Sequence, residues 1–242
     1  MNNRLRQAAR NNSFVSLIIR SARQLQVAAQ TLDRGRRTRS YLSANKLARL
    51  QIGAGVNVLD GWLNSDILPR RGGMIPLDAA KAFPFPDRSF DQVFSEHQIQ
   101  TLTFEGGRSM LRECFRVLKT GGSIRIATLN LEILLDLFNP EKTDRQLEYI
   151  RWATDEFLPD VGDYRATAVV NNAFRAWGHQ FVYDPDTLRS SLTEAGFIGI
   201  SQRLPGESEN PALQGLERHG VAVGNEEMNR FETMVLEGTK PR

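Results

Sequence analysis

LQIGAGVNVLDGWLNSDI, residues 50–67, reads as an apolar strand, a glycine turn and, shortly afterwards, a second strand closed by an acid. At Gly53-Ala54-Gly55 the chain must leave a buried strand, turn sharply and let its backbone approach a ligand without interference from a Cβ. A complete strand–helix–strand crossover takes ~10–12 residues. The stretch from Gly53 to Gly61 is shorter, so any helix there is limited to one or two turns. The dinucleotide fingerprint needs a third glycine where Val58 stands and an acid about 20 residues further on. Neither is present, which disfavours a dehydrogenase.

The acid that closes the second strand is Asp66, placed beside the glycine turn, where a carboxylate can accept two hydrogen bonds from a ribose diol. Asp78, in IPLDAA, ends the third candidate strand and suits an adenine amino group. Aspartates also serve ordinary turns. Two acids with no phosphate-binding lysine nevertheless favour a nucleoside without phosphates, and a cationic one best.

Outward from this stretch the texture is short apolar runs broken by turn residues. The candidate strands are residues 48–52, 62–65, 74–77, 90–94, 123–127, 198–202 and 231–237. Met110, Leu111, Cys114, Phe115 and Leu118 have helical spacing across 105–118 and end at Gly121-Gly122, a helix stop. Residues 187–195 repeat this grammar, with Gly196 as the stop. Strands alternating with helices predict a mostly parallel α/β sheet covered on both faces, with ligands at the carboxyl ends of its strands.

These segments resemble class I S-adenosyl-L-methionine (SAM)-dependent methyltransferases, within them the short glycine-loop group labelled methyltransferase type 11. The resemblance rests on LQIGAGVNVLDGWLNSDI, LDAAKAFPFPDRSFDQVFSEH, LRECFRVLKTGGSIRIAT and, more weakly, WGHQFVYDPDTLRSSLTEAGF and FETMVLEGTK, covering residues 46–240. It implies a Rossmann-like, seven-stranded, mostly parallel sheet whose last strand is antiparallel and lies between the fifth and sixth. It further implies SAM as cofactor: Gly53, Ala54 and Gly55 on its amino-acid part, Asp66 at the ribose, Asp78 and Ala79 at the adenine, with Ile67 also among the cofactor-binding residues. Ser95, Glu96 and His97 would end the fourth strand at the mouth of the site.

Methyl transfer from a sulfonium depends chiefly on alignment, but an oxygen or nitrogen acceptor must also lose a proton, and histidine is a natural general base. His97 qualifies by location, with Glu96 beside it, and His179 in WGHQF by its aromatic surroundings; each also suits a purely structural role. His219 has no evident placement. The family often reads Glu-His-x-Ile-Glu-His after the fourth strand, whereas this chain has EHQIQTL, with Gln100 and Thr101 in place of an acid and a histidine. That departure touches catalysis, not cofactor binding. The histidines and the lone Cys114 show no metal-ligand spacing.

With 242 residues, 40% of them hydrophobic, the chain can bury the core of one domain. A lone cysteine excludes an intrachain disulfide and fits a reduced cytoplasm. The apolar run at 14–19 is far short of the ~20 residues needed to cross a bilayer, and its flanks lack a secretory cleavage pattern. Residues 1–50 carry eleven Lys/Arg against Asp33 alone, a balance of +10, while the rest carries twenty basic against twenty-seven acidic residues. The expected division is a basic helical arm, 1–45, with a helix or two over 7–32 and a linker at Gly35 and Arg36, Arg37 and Arg39, followed by the domain, 46–242. Such an arm, which also resembles an organellar transit peptide, suits phosphates, an anionic membrane face or an acidic partner, or folds back on the acidic body.

Residues 132–180 form a helical insertion after the fifth strand, rich in aromatics and placed over the mouth of the site. The reading is a SAM-dependent methyltransferase of a small molecule or glycan, at oxygen. The rivals are an RNA or ribosome methyltransferase using the arm, and a non-catalytic SAM-binding scaffold.

Overall fold

The computed structural model describes residues 13–242, with side chains from residue 27 onward. Seven strands form one sheet: β1 (Arg49–Ile52), β2 (Leu63–Asp66), β3 (Ile75–Pro76), β4 (Phe90–Glu96), β5 (Leu118–Leu129), β6 (Ile198–Arg203) and β7 (Thr233–Thr239). Their order is β3-β2-β1-β4-β5-β7-β6, and β7 alone runs against the others. The expected insertion of the last strand between the fifth and sixth is therefore observed. Ile52 pairs with Ser65 on one side and Ser95 on the other. That register brings Gly53, Asp66 and Glu96 to one edge of the sheet.

Helix α2 (Phe104–Val117) starts where Thr103 accepts a 3.0 Å hydrogen bond from the Gly106 amide. It buries Met110, Leu111, Cys114 and Val117 against Leu50, Val93 and Ile124. Helix α6 (Pro185–Glu194), capped by Asp184, adds Leu188 and Leu192 to the same face. On the opposite face no helix joins β1 to β2; residues 53–62 lie across the sheet as a loop. Gln51 donates to the Asn57 carbonyl (2.9 Å), and Asn64 accepts from the Leu59 amide (2.9 Å). Leu59 and Trp62 then pack with Leu213 and Leu216, from the β6–β7 connection, on Phe94, Ala127 and Val235.

That connection is tied down by charge. Arg125 on β5 is fully buried and donates to Glu217 (2.6 Å), Glu237 (2.5 Å) and the Glu207 carbonyl (2.8 Å). A charge so deeply buried persists because carboxylates neutralise it and hydrogen bonds saturate most of its donors.

One expectation is corrected at the amino terminus. No linker interrupts the chain at Gly35: helix α1 (Ser13–Ala44) runs straight through it. Asp33 accepts from Arg36 and Arg37 one turn on, and the flanking residues are good helix formers, so a single glycine costs only about 1 kcal/mol. The end of α1 docks on the sheet: Arg34 donates to the Pro76 carbonyl (3.1 Å), and Tyr41 to those of Arg49 (3.0 Å) and Gly61 (2.9 Å).

After β5 the insertion supplies α3 (Leu131–Asp136), α4 (Asp144–Phe157) and α5 (Ala166–Arg175). A Thr143–Gln146 capping box starts α4. Tyr149, Ile150, Val169 and Val170 build a second core with Leu129 and with Met228 of α8 (Glu226–Glu232), which follows α7 (His219–Ala222). The last strand begins at Thr233, so Phe231 and Glu232, expected in it, close α8 instead.

Candidate functional site

The glycine turn has the backbone its sequence suggests. Gly53 and Gly55 have φ of +70° and +54°, the left-handed region that side chains disfavour. Above Gly55 there is open space, whereas a Cβ on Gly53 would meet Cβ and Cγ of Gln98 at 2.7 and 2.8 Å. Gln98, unremarked in the sequence, thus covers the first glycine and in turn donates to the Thr101 hydroxyl (2.9 Å).

Asp66 is half-buried beside the turn and accepts from the Gly55 amide (2.9 Å) and the Leu68 amide (2.8 Å), one bond to each oxygen. A carboxylate oxygen has a second acceptor site, so both can still receive a ligand's hydroxyls. Ile67 is 59% exposed next to it, an apolar surface suited to a flat ring. Ala54 and Ala79 bury their side chains and offer only backbone. Asp78 accepts from the Ala80 amide on one oxygen and pairs with Lys81 at 3.0 Å on the other, so each oxygen already has one partner. Ser95 is 1% exposed, and its hydroxyl has no partner among the described residues.

Glu96 does not reach the mouth of the site. Its carboxylate accepts from the Arg218 amide (3.0 Å) and the His219 amide (2.9 Å), and burial pushes its pKa up to about 7. Its work is to hold the start of α7 against the end of β4.

His97, next along, has φ of +48° and turns its ring into a cavity of about 190 Å³ between the sheet edge and the insertion. The three histidines, scattered in sequence, all line it: His97, His179 and His219. Around them stand Trp152, Phe157, Val169 and Trp177, so most of the wall is apolar. The His97 and His219 rings lie in tilted contact, centroids 4.4 Å apart.

Gln100, fully buried, places its Nε2 3.0 Å from His97 Nδ1, and its Oε1 accepts from Thr128 (2.6 Å). That assigns Nδ1 as the acceptor, leaving the Nε2 hydrogen for the Thr233 hydroxyl at 3.2 Å. Burial lowers the pKa of all three histidines, so the rings are neutral at pH 7.

Two residues were not anticipated, Glu232 on the wall and Asn229 beside it. Glu232 is buried, accepts from the Tyr149 hydroxyl and from Asn229 Nδ2 (3.2 Å), and burial raises its pKa to about 7. Asn229 Nδ2 also lies 3.2 Å from His97 Nε2. The one signal in the sequence was a glutamate wedged between Phe231 and the apolar run of β7. Among the described residues no cluster of His, Cys, Asp or Glu is suited to a metal, and no helix is long and apolar enough to cross a membrane.

Residues 64–126 match the model of the type 11 methyltransferase family, described as a methyltransferase domain. Among curated proteins, the chain is 31% identical over 118 residues to the ubiquinone/menaquinone biosynthesis C-methyltransferase UbiE of Xanthomonas campestris, covering 49% of this chain and 42% of that one. It is 34% identical over 162 residues to the protein of the same name from Stenotrophomonas maltophilia, covering 62% and 60%. The aligned stretches thus span about half the length of such relatives. Among solved structures, a SAM-dependent methyltransferase from Archaeoglobus fulgidus aligns over 90% of this chain and 94% of its own, at 18% identity and a TM-score of 0.46.

Proposed function

We propose that this chain, a class I methyltransferase by its sheet order and its matched domain, transfers a methyl group from SAM to a small, single-ring acceptor held in the histidine-lined cavity. The cavity carries this reading. Its volume of about 190 Å³ is close to that of a ~150 Å³ apolar cavity that holds benzene, and its wall is mostly aromatic and aliphatic. A glycan would need more polar partners, and a nucleic acid would need an open basic channel.

The residues at the glycine turn fit SAM. The open backbone at Gly55 and the covered one at Gly53 take its amino-acid end, and the spare acceptor sites of Asp66 take the ribose hydroxyls. Ile67 lies under the adenine, and Asp78 and Ala79 at its edge. Ser95 is buried beside this bed. When bound, SAM supplies a methyl carbon on a positively charged sulfur. The chain aligns the acceptor, excludes water with the insertion and accepts the acceptor's proton.

Oxygen is the proposed acceptor atom, because a cavity of neutral histidines with no Lys or Arg on its wall suits a neutral hydroxyl. The aligned relatives are named C-methyltransferases, which makes transfer to carbon the second reading. Incubation with methyl-labelled SAM and fractionated lysate tests the proposal. Label should enter small molecules extracted into organic solvent. Label in RNA or protein would contradict it.

A further inference from the structure

We infer that Glu232 is the group that takes the acceptor's proton in this cavity, an assignment that rests on the methyl-transfer reading above. The carboxyl sits at the end of α8 on the cavity wall, held by two donors from different elements. These are the Tyr149 hydroxyl of α4 and Asn229 Nδ2, one turn back on α8. A carboxylate with two accepted bonds keeps further lone pairs for an incoming proton.

The groups that face it are Tyr149, His97 after β4, His179 after α5 and His219 of α7, and no Lys or Arg lines the cavity. A buried carboxylate without a cation is costly, so a fold retains one where it has work to do.

The histidines suit the task less well. His97 has both ring nitrogens engaged, Nδ1 accepting from Gln100 and the Nε2 hydrogen directed to the Thr233 hydroxyl. His179 Nδ1 lies 2.6 Å from the Ala173 carbonyl, which leaves Nε2 as an acceptor, but burial makes that ring a weaker base than imidazole in water. Burial has the opposite effect on Glu232, making its carboxylate a stronger base near neutral pH.

In the step itself the acceptor's O–H bond breaks and its electron pair stays on oxygen. The proton goes to a free lone pair of the Glu232 carboxylate, which becomes a neutral acid. Tyr149 stabilises the charged form of Glu232 by donating to it, and so sets how readily it lets the proton go.

The probes are phenol, catechol and guaiacol, with labelled SAM, across pH 5–9. Glu232→Gln should lower kcat about 10²- to 10⁴-fold, with the KM for the probe and the affinity for S-adenosylhomocysteine little changed, and Glu232→Asp should restore part of the rate. The acidic limb of the wild-type pH profile should vanish in Glu232→Gln, persist in His179→Gln and move to higher pH in Tyr149→Phe, since losing that donor destabilises the carboxylate.

A Glu232→Gln rate within tenfold of wild type, or loss of the limb in His179→Gln instead, overturns the assignment. So does failure of all three phenols to bind or react in a chain that binds S-adenosylhomocysteine, and that result leaves the cofactor reading standing. Failure to bind S-adenosylhomocysteine overturns the methyl-transfer reading itself, and the assignment with it.

Discussion

The His97 and His219 rings meet with centroids 4.4 Å apart, tilted at an interplanar angle of 41°, although one follows β4 and the other opens α7. Glu96 explains the meeting: its carboxylate grips the two amides that begin α7, so a buried acid at the end of the fourth strand sets where the second ring lies.

That grip has a pH signature. The Glu96 pKa is raised to about 7 from 4.5, so the unfolded chain releases this proton before the folded one does, and the contribution of Glu96 to stability falls as pH rises from 4.5 to 7. The buried histidines act oppositely, since their lowered pKa values make stability rise with pH toward 6.5. The test is therefore differential. Glu96→Gln should gain stability relative to wild type as pH climbs through that window, by a swing on the order of 3 kcal/mol, read by urea unfolding at pH 4.5 and 7.5.

Asp66 is expected to grip the ribose. Asp66→Ala should weaken S-adenosylhomocysteine binding by about 1.5–3 kcal/mol, the range for charge-assisted hydrogen bonds. Titration calorimetry measures this, and unchanged affinity would remove Asp66 from the site.

Gly53→Ala combines two costs: a side chain at φ +70° and a clash with Gln98 Cβ and Cγ at 2.7 and 2.8 Å. The backbone part alone is worth about 1–3 kcal/mol. Adding Gln98→Ala removes the Cγ contact but keeps the Cβ at 2.7 Å, so it should relieve part of the clash and none of the strain. A double-mutant cycle by thermal unfolding should show that partial recovery.

Arg125→Met leaves Glu217 buried without its cation and Glu237 with only Arg203, 3.7 Å away. A loss of about 3–5 kcal/mol in urea unfolding is expected, the cost of breaking a buried ion pair from one side.

The sheet was legible because most strands hold a short apolar run near turn residues, although β2 (LNSD) has a single apolar residue and β5 starts at Leu118, so that Gly121-Gly122, read as a helix stop, lie inside it. The glycine turn and Asp66 were visible because they lie in one contiguous stretch. Gly35 misled, because a lone glycine among basic residues looks like a break, while the i,i+3 and i,i+4 pairs of Asp33 keep the helix whole. The cavity was only half legible. The insertion announced its aromatics, but His97, His219 and Glu232 meet through tertiary packing of α7 and α8 against the edge of β4, and no local pattern encodes that meeting. Glu96 read as an acid at the mouth because strand ends point there, yet alternation along β4 turns it to the opposite face, toward Arg218.

The most direct test of the account is a crystal structure with S-adenosylhomocysteine and catechol together. The ribose hydroxyls should lie on Asp66, the adenine over Ile67, and the catechol ring between Trp152 and Val169 with a hydroxyl on Glu232. S-adenosylhomocysteine bound away from Asp66, or an empty cavity at saturating catechol, would contradict it.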